Sequence, residues 1–179
     1  MINRDNLELL FKKYHYSDFK WFDPKEIVVA QWVRMKCIFG CSEYGKNASC
    51  PPNVPSVAEC QQFFKEYNTG VIFHFEKTVA KPEDRHDWSK KINRELLKLE
   101  REIFISGYQK TFLLFMDSCG LCGECSGKRE TCKKPMTARP APDAMAIDVF
   151  STVRKYGYPI EVLVDYSKVM NRYAFLLIE

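Results

Sequence analysis

The sequence lacks the segments that would direct a protein to a membrane or to nucleic acid. Its 179 residues include no run of eighteen apolar residues that could cross a bilayer. The amino terminus carries charges in its first turns and has neither the apolar stretch nor the small-residue cleavage site of a secretory signal. The net charge is only +4, and no run of Lys and Arg exceeds two residues. We therefore predict a cytoplasmic protein that binds neither membrane nor nucleic acid.

Motifs for nucleotide or serine chemistry are absent as well. The sequence has no Walker loop, no G-x-G-x-x-G and no G-x-S-x-G elbow. Its three histidines, His15, His74 and His86, show no metal-ligand spacing to one another. His74 alternates within an apolar stretch, which predicts a structural role.

Cysteine is present in an unusual arrangement. Seven of the eight cysteines form a first group of Cys37, Cys41 and Cys50 and a second group of Cys119, Cys122, Cys125 and Cys132. Thiols that only fill a core have no reason to cluster, whereas closely spaced thiolates among Gly and Pro can bind one inorganic centre. Because the cytosol keeps thiols reduced, metal ligation is favoured over disulfides.

The second group has the spacing of an iron–sulfur loop. C-x-x-C-x-x-C followed by Cys132 is similar to the ligand loops of bacterial-type ferredoxins. Gly120 and Gly123 allow tight turns whose amides could point at cluster sulfides. Ordinary zinc sites use two cysteine pairs a dozen or more residues apart, so a [4Fe-4S] cluster is favoured and zinc is the alternative. The interval between Cys125 and Cys132 is longer than the last interval of ferredoxin loops, and Pro135 does not directly follow Cys132. We therefore do not expect a ferredoxin fold.

The first group offers three ligands, which would leave one iron of a cubane open to a small molecule or to a fourth ligand. Cys60 could supply that ligand, or it could be a buried structural thiol on a helix. Cys50 or Cys132 could also cross between the groups. The sequence thus allows one or two clusters, and it allows the first group to bind zinc or to remain free.

The pattern of apolar residues predicts an α/β fold: a single-domain layered sheet of about five strands with flanking helices. Predicted helices cover residues 4–14, 56–67, 82–106 and 142–157, and predicted strands cover 26–35, 69–76, 110–116, 160–164 and 172–178. Some neighbouring strands should be parallel, and the last two should form an antiparallel pair. Each cysteine group should directly follow a strand. Asp5 is the expected cap of the first helix, and Ser56 with Glu59 marks the start of the second.

Four segments carry a family resemblance: CIFGCSEYGKNASCPP, SCGLCGECSGKRETCKKP, ARPAPDAMAIDV and YAFLLIE. Over most of residues 30–179 the sequence resembles the "predicted metal-binding protein" family, domain of unknown function 2284. The resemblance implies a cytoplasmic iron–sulfur protein of low-potential, anaerobic metabolism and implies no defined reaction. ARPAP stands where the family tends to have ARPS followed by an acidic residue, so no role is carried over for that serine.

Three functions are compatible with these features. The first is low-potential electron transfer with a redox partner protein. The second is an enzyme whose three-cysteine cluster presents an open iron to a small substrate, such as an anion held by Arg139 or Lys46, with Tyr44 and Asn47 lining the site. The third is a zinc-stabilised binding or regulatory module.

Overall fold

The computed structural model describes residues 2–81, 83–165 and 168–179. Within them, four strands form one antiparallel sheet in the order β1-β2-β4-β3. The strands are β1 (Phe19–Phe22), β2 (Gly70–Lys77), β3 (Phe112–Leu114) and β4 (Met170–Leu177). The helices are α1 (Arg4–Lys13), α2 (Gln31–Gly40), α3 (Val57–Lys65), α4 (Asp84–Ile105) and α5 (Val149–Lys155), with short 3₁₀ helices at Pro24–Glu26 and Asp143–Met145.

The two central strands are apolar on both faces. β2 and β4 pair over their whole length, from Gly70 opposite Leu177 to Lys77 opposite Met170. Because side chains alternate along a strand, Val71 and Phe73 enter one core, which they share with α1 and α4. The intervening Ile72 enters the other core, shared with α3 and α5. The sheet is therefore the middle layer between two helical layers.

The prediction of parallel neighbours was wrong for a specific topological reason. β2 and β3 both run antiparallel to β4, and so they run parallel to each other as the β2-α4-β3 order predicts. However, β4 lies between them and pairs with both. Among the described residues the sheet has four strands, where about five were predicted.

Two of the predicted strands are absent. In residues 26–35 the apolar stretch makes only an isolated bridge between Val29 and Ile147, and helix α2 begins at Gln31. Cys37 therefore lies on a helix, not after a strand. The second missing strand, at 160–164, is irregular, and its Val162 and Val164 are 76% and 85% exposed. In both cases β-branched residues give the sequence pattern of a strand, but no neighbouring strand among the described residues pairs with the segment.

β1 was not predicted, because four residues carry too weak a pattern to be recognised. It nevertheless completes the sheet by pairing with β2, from Phe19 opposite Phe73 to Phe22 opposite Gly70. Glycine is needed at position 70, opposite Phe22, because a Cβ there would lie 2.5 Å from Cε1 of Phe22.

The helix predictions were mostly confirmed. α1 is capped by Asn3 instead of Asp5, because the Asn3 side chain accepts from the Asn6 amide. α4 begins at Asp84, and the predicted start at Pro82 lies outside the described residues. The predicted helix 142–157 is broken at Ala146, whose φ is +59°, and α5 begins after the Asp148 cap. Within the described residues, no helix combines the length and the hydropathy needed to span a bilayer.

The predicted start of α3 is confirmed as a capping box. The Glu59 amide bonds to the Ser56 hydroxyl, and the Glu59 carboxylate accepts from the Ser56 amide at 2.8 Å. We expect Ser56→Ala to lower the free energy of unfolding by about 1 kcal/mol, because amides of the first turn lose their acceptor. Urea denaturation measures this change. Ser56→Gly, which costs caps only a few tenths of a kcal/mol, is the matched control, and an equal loss in both variants would contradict the capping role.

Candidate metal centre

The four cysteines of the second group line one small cavity. The chain reaches them directly from β3. The segment that follows the second group then returns to the edge of the sheet, where the Phe115 amide donates to the Pro140 carbonyl at 2.9 Å. The opposite wall comes from the loop of the first group, through Asn47, Ala48 and Ser49. The two cysteine loops therefore meet at this cavity.

Direct hydrogen bonds join the two loops. The Ala48 amide donates to Sγ of Cys125 at 3.3 Å, and Nδ2 of Asn47 donates to the Cys119 carbonyl at 3.3 Å. Nδ2 of Asn53 donates to the Gly127 carbonyl at 2.8 Å and to the Asn47 carbonyl at 3.2 Å. An amide donated to a thiolate sulfur stabilises its negative charge, so the first loop contributes to the electrostatics of the second group.

Two lysines bring positive charge to the same cavity. Nζ of Lys134 donates to the Leu121 carbonyl at 3.1 Å, and Nζ of Lys133 donates to the Glu124 carbonyl at 3.3 Å. Both side chains line the cavity with the four thiols. The sequence gives these residues only as a short basic pair, so this role was not predicted.

The first group is also gathered in one region. Burial, together with the smaller effect of the negative charges of Asp143, Cys37, Cys41 and Cys119, raises the pKa of Cys50 to about 12. Cys119 therefore lies near the first group as well as lining the cavity of the second. Because a metal must displace the protons of such thiols, metal binding here should strengthen as the pH rises.

Asp143 is a neighbour of the first group that sequence analysis missed. Its short 3₁₀ helix lies against α2, where Nη2 of Arg34 donates to the Ala144 carbonyl at 3.1 Å. The carboxylate keeps solvent-exposed surface but has protein on most sides, and this desolvation raises the pKa of Asp143. The only signal in the sequence was an acidic residue soon after the second group.

Cys60 lies elsewhere. Its side chain is completely buried in the core that α3 shares with the sheet. Its Sγ lies 3.7 Å from the Pro55 carbonyl oxygen. This environment matches the structural alternative for Cys60.

The other residues considered from the sequence have defined partners. Arg139 donates from Nε to Oε1 of Glu100 at 2.9 Å. Lys46 pairs with Glu43 at 3.5 Å on the surface. His74 is buried, and its ring nitrogens contact Asp18 and Asn171 at 2.6 and 2.7 Å, which confirms the structural role.

All eight cysteines are free thiols. Within residues 2–81, 83–165 and 168–179, no three His, Cys, Asp or Glu side chains converge in the arrangement that holds a single metal ion.

Comparison with protein families gives a match over residues 20–178, to a model described as predicted metal-binding protein, domain of unknown function 2284. The chain belongs to this family. The match includes both cysteine groups and every strand except the first residue of β1. No significant match was found among curated proteins or among solved structures.

The residues at the cavity fit the metal binding that the family description names. Four thiols line the cavity, an amide is directed at one of them and two cationic side chains lie beside them, and these are donor types that a thiolate-bound metal uses, although the thiols of the described residues do not converge on a single ion. Cys119, Cys122, Cys125 and Cys132 are the residues that could hold a metal at this cavity.

Asn53 provides a test of the contact between the loops. We expect Asn53→Ala to weaken it by about 1–2 kcal/mol, because the carbonyls of Asn47 and Gly127 lose a shared donor. Hydrogen–deuterium exchange in residues 45–53 and 119–128 should become roughly tenfold faster. Asn68→Ala removes an exposed amide that pairs with Lys25 and is the matched control. Unchanged exchange in both loops would contradict the coupling.

Proposed function

We propose that the protein is an iron–sulfur protein that transfers electrons at low potential. One [4Fe-4S] cluster is bound by Cys119, Cys122, Cys125 and Cys132, and a second centre is bound by Cys37, Cys41 and Cys50. One domain carries both centres and acts in the reducing conditions of anaerobic cytoplasm. The observation that carries the proposal is the single cavity lined by all four cysteines of the second group.

The donor chemistry supports iron–sulfur over other metals. Four cysteines are the ligand set of cubane clusters, and the C-x-x-C-x-x-C part of the second group is similar to the cluster-binding loops of ferredoxins. Hydrogen bonds to sulfur and solvent exposure set the potential of such clusters. The amide of Ala48 supplies such a bond at Cys125.

The exposure of the ligands supports electron transfer. Cys41 in the first group and Cys125 in the second are solvent-exposed, so a redox partner protein could approach either centre closely. Cys119 lies at the cavity of the second group and near Cys50 of the first. Two centres in this arrangement would let an electron enter at one and leave at the other.

Asp143 favours a second candidate function, an enzyme that uses the first group. Three cysteines leave one iron without a thiolate, and the negative charge of Asp143 acts on both Cys37 and Cys50. A carboxylate beside an open iron could bind it reversibly or position a small substrate. In that case, adding small iron ligands would change the spectrum of one centre and leave the other unchanged, whereas two closed clusters would not respond.

Anaerobic purification followed by iron and acid-labile sulfide assays tests the proposal. We expect about eight iron and eight sulfide per chain for two cubanes, or about four of each for one. Electron paramagnetic resonance after reduction should then give cluster signals. A colourless protein with stoichiometric zinc would overturn the proposal and favour the zinc-stabilised module, which chelators should unfold.

A further inference from the structure

A second, larger cavity lies next to the cysteine cavity. Its volume is about 440 Å³, within the range of small-molecule pockets. Ala48, Ser49 and Ala138 line both cavities. The larger cavity is thus separated from the second cysteine group by a wall of three small residues.

The lining of this pocket is mostly apolar. Val54, Phe63, Phe112 and Met145 form its apolar walls. The rings of Phe63 and Phe112 pack edge to face, with centroids 5.2 Å apart. Such walls would enclose an aromatic or aliphatic body and remove it from water.

Three charged residues line the pocket, and two of them are already engaged. The Glu59 carboxylate accepts from Ser56, and Arg139 is paired with the buried Glu100 at 2.9 Å. Arg129 differs, because its guanidinium donates to the Pro135 carbonyl at 2.8 Å and this contact uses one of its five N–H groups. No carboxylate pairs with Arg129 among the ion pairs of the described residues.

We propose that this pocket binds a small organic anion, namely a carboxylate with an apolar body, whose carboxylate pairs with Arg129. A guanidinium binds a carboxylate through two parallel hydrogen bonds, which gives both affinity and orientation. The apolar part of the molecule would lie against Phe63, Phe112 and Met145. This binding does not depend on the metal content of the cysteine groups.

The position of the pocket gives the bound anion a second effect, and this part rests on the proposed function. A molecule in the pocket contacts Ala48, whose amide donates to Sγ of Cys125. Shifting that amide changes the hydrogen bond to a cluster ligand, and therefore changes the spectrum and the potential of the cluster. The anion would be a substrate or an effector of the iron–sulfur centre.

Calorimetric titration of the anaerobically purified protein tests the binding, with phenylacetate, 4-phenylbutyrate and the amide of each as probes. We expect the better carboxylate to bind at least tenfold more tightly than its amide. Arg129→Met should abolish this preference, Arg129→Lys should retain part of it, and Arg101→Met, on the exposed side of α4, should retain all of it. Val54→Trp should fill the pocket and eliminate binding while iron and sulfide remain at the wild-type level.

Several outcomes would overturn the proposal. The first is that neither carboxylate binds up to about 10 mM, and the second is that acid and amide bind with equal affinity. The third is that Arg129→Met keeps the full preference for the acid or that Val54→Trp binds as the wild type does. Iron assays on the same samples distinguish the two proposals, because binding without iron would leave the pocket correct and the iron–sulfur function wrong. If carboxylate binds and iron is present, an unchanged cluster spectrum would overturn only the effect on the centre.

Discussion

Cys125→Ser is expected to remove about half of the iron and sulfide from a protein that holds two clusters, or nearly all of it from a protein that holds one. Cys125 lines the cavity of the second group and accepts a hydrogen bond from the Ala48 amide, so its loss removes both a proposed ligand and a contact between the loops. A serine hydroxyl is a far poorer ligand for this soft metal centre than a thiolate.

Cys60→Ala is the matched control for this experiment. It also removes one thiol, but from a completely buried position in the core. We expect full iron content and a moderate loss of stability, because a small side chain leaves a small cavity. Loss of one complete cluster on this change would identify Cys60 as a ligand, and normal iron content in Cys125→Ser would remove Cys125 from the site.

The same assay can determine how the ligands pair. Cys119 lines the cavity of the second group, and its charge also acts on Cys50. If Cys119→Ser removes the same spectral component as Cys125→Ser, the four cysteines of the second group share one cluster. If it removes the component that Cys50→Ser removes, Cys119 is the ligand that crosses between the groups.

Glu100→Ala is expected to destabilise the protein by about 3–5 kcal/mol. Oε1 of Glu100 accepts from the Leu113 amide at 2.9 Å and from Nε of Arg139 at 2.9 Å. The Glu100 side chain is only 7% exposed, so truncation leaves the buried Leu113 amide and Nε of Arg139 without this acceptor and removes the counter-charge of a largely buried guanidinium. This single carboxylate joins α4, β3 and the segment that follows the second cysteine group.

Urea denaturation with the metal content held constant measures this effect. Glu100→Gln keeps an oxygen acceptor and should cost less than Glu100→Ala. Glu95→Ala, on the same helix, removes an exposed partner of Lys98 and should change stability by less than about 0.5 kcal/mol. A loss in Glu100→Ala no larger than that in Glu95→Ala would contradict the role of the buried pair.

Local signals in the sequence were sufficient for most of the helices. The Ser56 cap, the amphipathic periodicity of α4 and the apolar run of β2 each depend on neighbouring residues, and each was predicted correctly. The false strand at 26–35 shows the limit of this approach, because β-branched residues form a strand only where a partner strand exists. Likewise, the position of β4 between β2 and β3 depends on pairing across a large distance in sequence, which composition does not reveal.

For the candidate site, the sequence identified the cysteines but not their surroundings. The bond between Asn53 and Gly127 joins residues 74 positions apart, and it brings together loops that the sequence treats as separate. Asp143 and the lysines beside the second group could not be predicted either, because their relevance depends on which segments fold over the thiols. The second group also follows β3 as predicted, whereas the first begins on helix α2, which contains Cys37.

The position of β4 has a consequence for how the protein is made. Among the described strands, β4 is the last to leave the ribosome, yet it is hydrogen-bonded to both β2 and β3. Until it arrives, each of those strands exposes an unsatisfied edge in the nascent chain. Such long-range pairing slows folding, and the cysteine loops emerge before the sheet that supports them is closed. Insertion of a metal centre is therefore best timed after β4 has left the ribosome, when the sheet can close beneath both loops.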